Sequence, residues 1–250
     1  MRTLFITLSL VSALSFTPGL VGRAFAGSRP LVRLPIDQVT ALGPALVGGS
    51  MALVESHPNG RMKQVTMLLF VKAKLETVYD VISHPGDYKK FVPNMSRSSW
   101  EEKPDGTKVS SWQLELPISE FDGINVYKFY PASEGQPAAI ELNAIDPNDD
   151  ACYRWEMMPV RGGTILVQYG YTDVVHSNGF VTSFVKRQAT MEHGLALAAQ
   201  LVMCDAMKHE AERRTPAGTL EHATRESRHR GLRVGCEPPL PSHLIRVMPA

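Results

Sequence analysis

Residues 75–95 read LETVYDVISHPGDYKKFVPNM. Leu75, Val78, Tyr79 and Ile82 fall at i, i+3, i+4 and i+7, the spacing of one apolar helical face. Pro85 and Gly86 end that helix, because proline removes a backbone donor and glycine frees the chain. Tyr88, Phe91 and Val92 then give a second short helix an apolar side, until Pro93 stops it. Two short helices in succession, each with one face to bury, predict a connection between strands that closes one end of the sheet they join.

The flanking sequence supplies those strands. Upstream, ALVGGSMALVES (45–56) predicts a strand, HPNG (57–60) a tight turn, and RMKQVTMLLFVKA (61–73) a second strand with Val65, Met67, Leu69 and Val71 on one face. Downstream come SRSSWEEK (96–103), TKVSSWQLELPI (107–118), INVYKFY (124–130), AIELNAI (139–145), CYRWEMMPV (152–160) and TILVQYGYTDVV (164–175). The breaks PDG, SEGQP and DPNDD are turn chemistry, so these segments predict an antiparallel meander. From Ser183 to about Arg214 the period becomes helical. Phe184, Met191, Leu195, Ala198, Val202 and Ala206 mark one face, and residues 195–207 are apolar nearly all round apart from Gln200 and Asp205. Pro216 forbids continuation.

The order of strand, two short helices, antiparallel strands and one long final helix resembles the START-related helix-grip superfamily, the SRPBCC group of polyketide cyclases and coenzyme Q-binding proteins. LLFVKAKLETVYDVISHPGDYKKFVPNM (68–95) carries the resemblance. Val78, Tyr79, Val81 and Ile82 fill the first helix of the family pattern, Tyr88, Phe91 and Pro93 the second part, and Trp100 the following strand. Ala73-Lys74 replaces the usual alanine-proline, and His84 replaces the acidic residue that often follows the helix. The resemblance implies an α+β helix-grip fold: a curved antiparallel sheet of about seven strands, two short helices, and one long C-terminal helix around a cavity. An unfilled apolar void costs on the order of 24 cal/mol per Å³, so a cavity of that kind calls for an apolar guest or water.

Alternation along the strands nominates the lining. Trp112, Leu114 and Leu116 share one face with Ile118; Trp155 and Met157 share another with Tyr153; Tyr169 and Tyr171 share a third with Ile165 and Val167. Met191 and Leu195 are the helix contribution. Such aromatic and Met-rich walls suit an amphiphilic lipid, quinone or sterol-like ligand. With Trp155 inward, Arg154 and Glu156 point away. In the opposite register they enter the cavity, with Asp122 or His193, and could serve the acid-base chemistry of a polyketide cyclase/aromatase-like enzyme. A third reading fills the interior with the protein's own side chains and leaves the Arg- and Pro-rich tail as the working part.

The chain has 250 residues, 44% hydrophobic and 20% charged, with 26 Lys plus Arg against 25 Asp plus Glu. That balance supplies no field for a polyanion, so no nucleic-acid partner is expected. No HExxH, P-loop, GxSxG or paired-cysteine motif occurs, and the eight histidines never fall at i, i+4 on one helix face. No catalytic residue, metal or cofactor is therefore expected. Residues 1–26 carry Arg2, an apolar run from Leu4 to Phe16 and the small-residue site Ala24-Phe25-Ala26, the pattern of a signal peptide cut after Ala26. The run falls short of the roughly 20 residues a spanning helix needs, so the expectation is a periplasmic or secreted protein without stable membrane insertion and with at most transient membrane contact. Behind the signal the expected organisation is an irregular lead-in at 27–43, one domain at 44–214, and a Pro/Arg-rich flexible tail at 215–250. Cys152, Cys204 and Cys236 allow one disulfide; buried thiols at Cys152 and Cys204 are the favoured reading.

Overall fold

A computed structural model describes residues 30–116, 119–145, 151–172, 183, 185 and 188–216. Two short helices, α1 (Ile36–Ala41) and α2 (Gly43–Val47), precede β1 (Met51–Ser56) and β2 (Met62–Val71). The quoted stretch forms α3 (Leu75–Ser83) and a 3-10 helix (Pro85–Lys90). Then come β3 (Met95–Glu102), β4 (Lys108–Leu116), β5 (Ser119–Tyr130), β6 (Ala138–Ala144), β7 (Cys152–Val160), β8 (Gly163–Tyr171) and the long helix α4 (Ala189–Arg214). The segments read as strands are strands, and the sheet has eight of them where about seven were expected.

The strand order β1-β2-β8-β7-β6-β5-β4-β3 explains the opening stretch. β2 and β3 are consecutive in sequence but lie far apart in the sheet, and α3 with the 3-10 helix carries the chain from one to the other. The meander then returns strand by strand until β8 pairs with β2, Val65 opposite Gly170 and Val71 opposite Thr164. Val78, Val81 and Ile82 are the buried side of α3. Tyr88 is buried too, and its hydroxyl donates to the Ile82 carbonyl at 2.6 Å, tying the second helix to the first. Asn94, after the proline that ends this stretch, has φ 61°, the left-handed turn into β3.

Each face of the sheet has its own core. Val65, Met67, Leu69 and Val71 of β2 join the inner cluster with Ile140, Trp155, Met157 and Leu166, beneath α3 and α4. Leu68 and Phe70 point the other way, to an outer cluster with Met158, Ile165, Val167 and Tyr169, capped by Val39 and Leu46 of α1 and α2. The lead-in expected to be irregular is thus partly helical and sewn to the sheet. The Gln64 amide exchanges 2.7 Å hydrogen bonds with the Val32 backbone N–H and carbonyl, and the Leu34 N–H donates to the Tyr169 hydroxyl. Two-sided cover is why every residue of β8 is buried and why TILVQYGY lacks a polar face. Cys152 and Cys204 are buried and are not joined in a disulfide. Residues 1–29, most of the tail and Cys236 lie outside the described residues.

Gly163 tests how closely the β2–β8 pair is fitted. A Cβ there would sit 2.2 Å from the Val71 carbonyl oxygen and 2.9 Å from the Phe70 ring. Gly163→Ala should cost about 1–3 kcal/mol by overpacking, lowering Tm by several degrees in a thermal melt.

Candidate ligand-binding site

The inner face of β3 to β7 is an aromatic wall. Register places Phe129, Ile140, Trp155, Gln168 and Met67 in one row across the sheet, and Tyr127, Leu142, Tyr153, Gly170 and Val65 in the next. Trp100 stands edge-on to Tyr127 and Phe129, with ring centroids 5.3 and 6.0 Å apart. Trp112 lies across Gly123 of the neighbouring strand, where a Cβ would come within 2.8 Å of its ring. The chain has three tryptophans, and all pack on this face. Trp100, Trp112, Leu114 and Phe129 remain only half-buried.

That incomplete cover follows from where α4 sits. It packs chiefly on β2 and α3, with lesser contact to β1 and β8, and so leans toward one side of the sheet. Its sheet-facing stripe is Glu192, Ala196, Gln200, Cys204, Met207 and Ala211, mostly small or polar residues. Small side chains let the helix approach closely. Gly170 does the same from the sheet, since a Cβ there would meet the Tyr153 ring at 2.6 Å and the Gln200 amide at 3.0 Å. Burial raises the Cys204 thiol well above its ordinary pKa, and the protonated thiol donates to Gln168 Oε1 at 3.0 Å. Ion pairs lie at both ends of the helix. Glu192 meets Arg61 at 3.2 Å; Glu210 is held at about 2 by its hydrogen bonds from Arg213 and then Arg214.

Two polar groups on this surface lack protein partners. The indole Nε1 of Trp112 and both amide atoms of Gln200 are buried without a hydrogen bond. An orphaned buried donor or acceptor costs about 1–3 kcal/mol, a local penalty at each of these positions.

The expected lining residues divide. Trp112 and Leu114 face the inner cluster; Trp155, Met157 and Tyr171 are buried in it. The side chain of Leu116, like Ile118, lies outside the described residues. Tyr169 does not share this face. It is buried in the outer cluster below the lead-in, where burial, then the nearby Glu156 carboxylate, pushes its hydroxyl up to about 12. Alternation is intact from Ile165 to Tyr169; the face assigned to these residues was the wrong one, because both faces of β8 are covered and its pattern cannot show which is inner. Met191 and Leu195 are also corrected: they are 40% and 37% exposed, on the solvent side of α4. The larger apolar residues suggested a helix face one position away from the small and polar stripe that docks.

The alternative register is settled by the same geometry. Trp155 is inward, so Arg154 and Glu156 are on the outer face, where Arg154 donates to Glu156 at 2.6 Å and also to Glu141, and Arg33 meets Glu156 at 2.6 Å. Asp122 is exposed, and His193 Nε2 lies 2.8 Å from Ser56 Oγ at the sheet's β1 edge. Among the described residues no cluster of metal-ligating side chains occurs, and no helix is long and apolar enough to cross a membrane. Sequence reasoning passed over Trp100, Tyr127, Phe129, Gln168 and Gln200. Gln200 did carry a signal, as a polar residue interrupting the most apolar stretch of the helix.

A cleft of about 760 Å³ opens between the 3-10 helix and the C-terminal half of α4. Phe91, Pro93, Val202 and Ala206 give it some apolar wall, the other seven lining residues are ionisable, and Ala206 and Phe91 also pack with the inner cluster. Lys90–Asp87 at 2.6 Å and Arg214–Asp80 at 2.8 Å are ion pairs beside it.

An open antiparallel sheet with paired short helices and a long terminal helix over its inner face defines the START-related helix-grip fold. The STAR-related lipid transfer protein from Xanthomonas axonopodis superposes with a TM-score of 0.53 at 12% identity, covering 73% of this chain and 97% of that one. Human STARD10 does so with a TM-score of 0.50 at 16% identity, covering 85% and 89%. The Zhui aromatase/cyclase from Streptomyces sp. R1128 gives 0.49 at 16%, covering 63% and 98%. No family model matches the chain, and no curated protein does. The likeness is one of fold.

Leu195→Arg should leave Tm within about 2 °C of wild type, as expected of an exposed helix position. Ala196→Arg, one residue on and 0% exposed, should unfold the domain or lower Tm by more than 10 °C. Parallel thermal melts check the assignment of the helix face; equal losses in both would contradict it.

Proposed function

We propose that this chain is an exported, noncatalytic binder or carrier of a hydrophobic small molecule held between α4 and the inner face of the sheet. The observation that carries the reading is the half-buried aromatic wall of Trp100, Trp112, Leu114 and Phe129, left partly uncovered by the off-centre helix. A wall of this composition gains from apolar contact at about 25 cal/mol per Å² removed from water. The cleft beside the 3-10 helix, which shares Phe91 and Ala206 with the inner cluster, lies within the few hundred to about 1,000 Å³ typical of small-molecule sites and is taken as the entrance. The lipid transfer named for the Xanthomonas protein supports a lipid, quinone or sterol-like ligand. A polyketide cyclase/aromatase-like reaction is less well supported, because Arg154 and Glu156, the pair that reading drew on, are on the outer face and engaged there.

Protein purified as residues 27–250 should release a stoichiometric apolar molecule on solvent extraction, or take one up from a panel of lipids. Since every tryptophan of the chain is on the inner face, uptake should also shift or quench intrinsic fluorescence by tens of per cent, and Trp112→Phe should reduce that change. Native mass spectrometry and fluorescence titration give the two readouts. No bound species and no response to lipids, quinones or sterols would overturn the reading.

Export rests on the first 26 residues, whose charged start, apolar run and Ala24-Phe25-Ala26 site form a cleavable leader. N-terminal sequencing of the protein from its native host should begin at Gly27, and recovery of intact Met1 from the cytoplasm would contradict it.

A further inference from the structure

We infer that the chain forms a two-fold dimer in which β1 pairs antiparallel with β1 of a second copy, joining two eight-stranded sheets into one. β1 is an edge strand, and among the described residues its backbone pairs only with β2. An unpaired edge offers a row of N–H and C=O groups to any extended chain, and proteins blunt it with charge, proline or a bulge. The opposite edge is blunted in this way, since β3 carries Arg97, Glu101 and Glu102. β1 lacks such protection. Its one charge, Glu55, is tied back to Lys63 of β2 at 2.8 Å, and its one register shift comes at the strand's end, between Glu55 and Ser56. Leu53 and Val54, on its two sides, are 39% and 41% exposed.

The strand is complementary to itself. A two-fold axis normal to the sheet keeps both inner faces on one side, so residues set opposite each other must share a face. With the axis at Leu53, that leucine meets its own copy on the outer face, Ala52 meets Val54 on the inner face, and Glu55 falls opposite Met51 at the rims. An axis at Val54 would instead set Glu55 against Leu53. The helix supplies a second contact at the same place. His193, Leu197 and Leu201 follow one flank of α4 at i, i+4 and i+8, and His193 Nε2 lies 2.8 Å from Ser56 Oγ, so this flank is the β1 side. α4 runs along β2 from Glu192, beside Arg61, to Glu212, which accepts from the Lys72 N–H at 2.9 Å. Thr66, the β2 partner of Leu53, is midway along that span, which sets Leu201 level with the axis. Three strand spacings, about 14 Å, separate the β2 strands that carry the two helices, and Leu201, 46% exposed, stands on the flank that borders this gap. The seam is at the edge far from β3 and the 3-10 helix, so it leaves the aromatic wall and the cleft open.

One short strand and one helix flank make a small seam, about 1,000 Å² in all and near the lower limit for a specific dimer, so Kd should fall in the micromolar range. Sedimentation velocity of residues 27–250 from about 1 to 100 µM should show a monomer–dimer equilibrium. Leu53→Lys and Leu201→Glu, both at exposed positions, should each weaken it about tenfold or more, with Tm within about 2 °C of wild type. In a Cys236→Ser background, Leu53→Cys should form an intermolecular disulfide on mild oxidation. Ala52→Cys should not, because its own copy would lie about 8 Å away, beyond disulfide reach. A monomer at every concentration, dimerisation unaffected by both substitutions, or cross-linking at Ala52 in preference to Leu53 would overturn the inference. The binding function proposed above does not depend on the outcome.

Discussion

The seating of α4 on β2 is the constraint on which the rest depends. One helix cannot cover the inner face of an eight-stranded sheet, so its position decides which part of that face is core and which is surface. Ala196 and Cys204 on the helix and Gly170 on the sheet allow close approach on the β2–β8 side. Arg61–Glu192 near one end and Arg214–Asp80 near the other anchor the helix to β2 and α3. The aromatic residues of β3, β4 and β5 are left beyond its reach. Hydrophobic residues in that position are either a liability or a binding surface.

The outer face makes this arrangement affordable. With α1 and α2 packed on β2 and β8, the pair that carries the helix is covered on both sides and stiffened by the Gln64–Val32 exchange. The charged network of Arg33, Glu156, Arg154 and Glu141 belongs to the same cover. Its burial therefore serves the join between lead-in and sheet, on the face opposite Trp155.

Much of the fold was legible because local chemistry and topology agree. The HPG break, the turn clusters and the change from period two to helical period each have a direct backbone cause, and α3, the 3-10 helix and the meander follow them. Face assignment was harder. On β4 and β7, polar residues on one side show which side is inner, and Trp112, Leu114, Trp155 and Met157 were placed accordingly. β8 is covered twice, so Tyr169 could not be told from an inner residue. On α4 the docking stripe is built from Ala, Gln and Cys, while Met191 and Leu195 face solvent, so hydrophobicity alone pointed to the wrong side. The helical lead-in was missed because its six- and five-residue helices are stabilised by tertiary contact rather than by their own sequence.

The β2–β8 junction also sets how the chain reaches this state. Val65 and Gly170 are paired across more than a hundred intervening residues, whereas the strands from β3 to β8 each pair with a neighbour close in sequence. Closing so long a loop carries an entropic penalty that local hairpins avoid, and slow folding is its usual signature. The meander can assemble by successive hairpins, but β2 must wait for β8, the last strand made. Until that seam zips, the helix and the lead-in lack the strand on which both chiefly pack, so the longest-range strand pairing in the sheet is also the one that seats them.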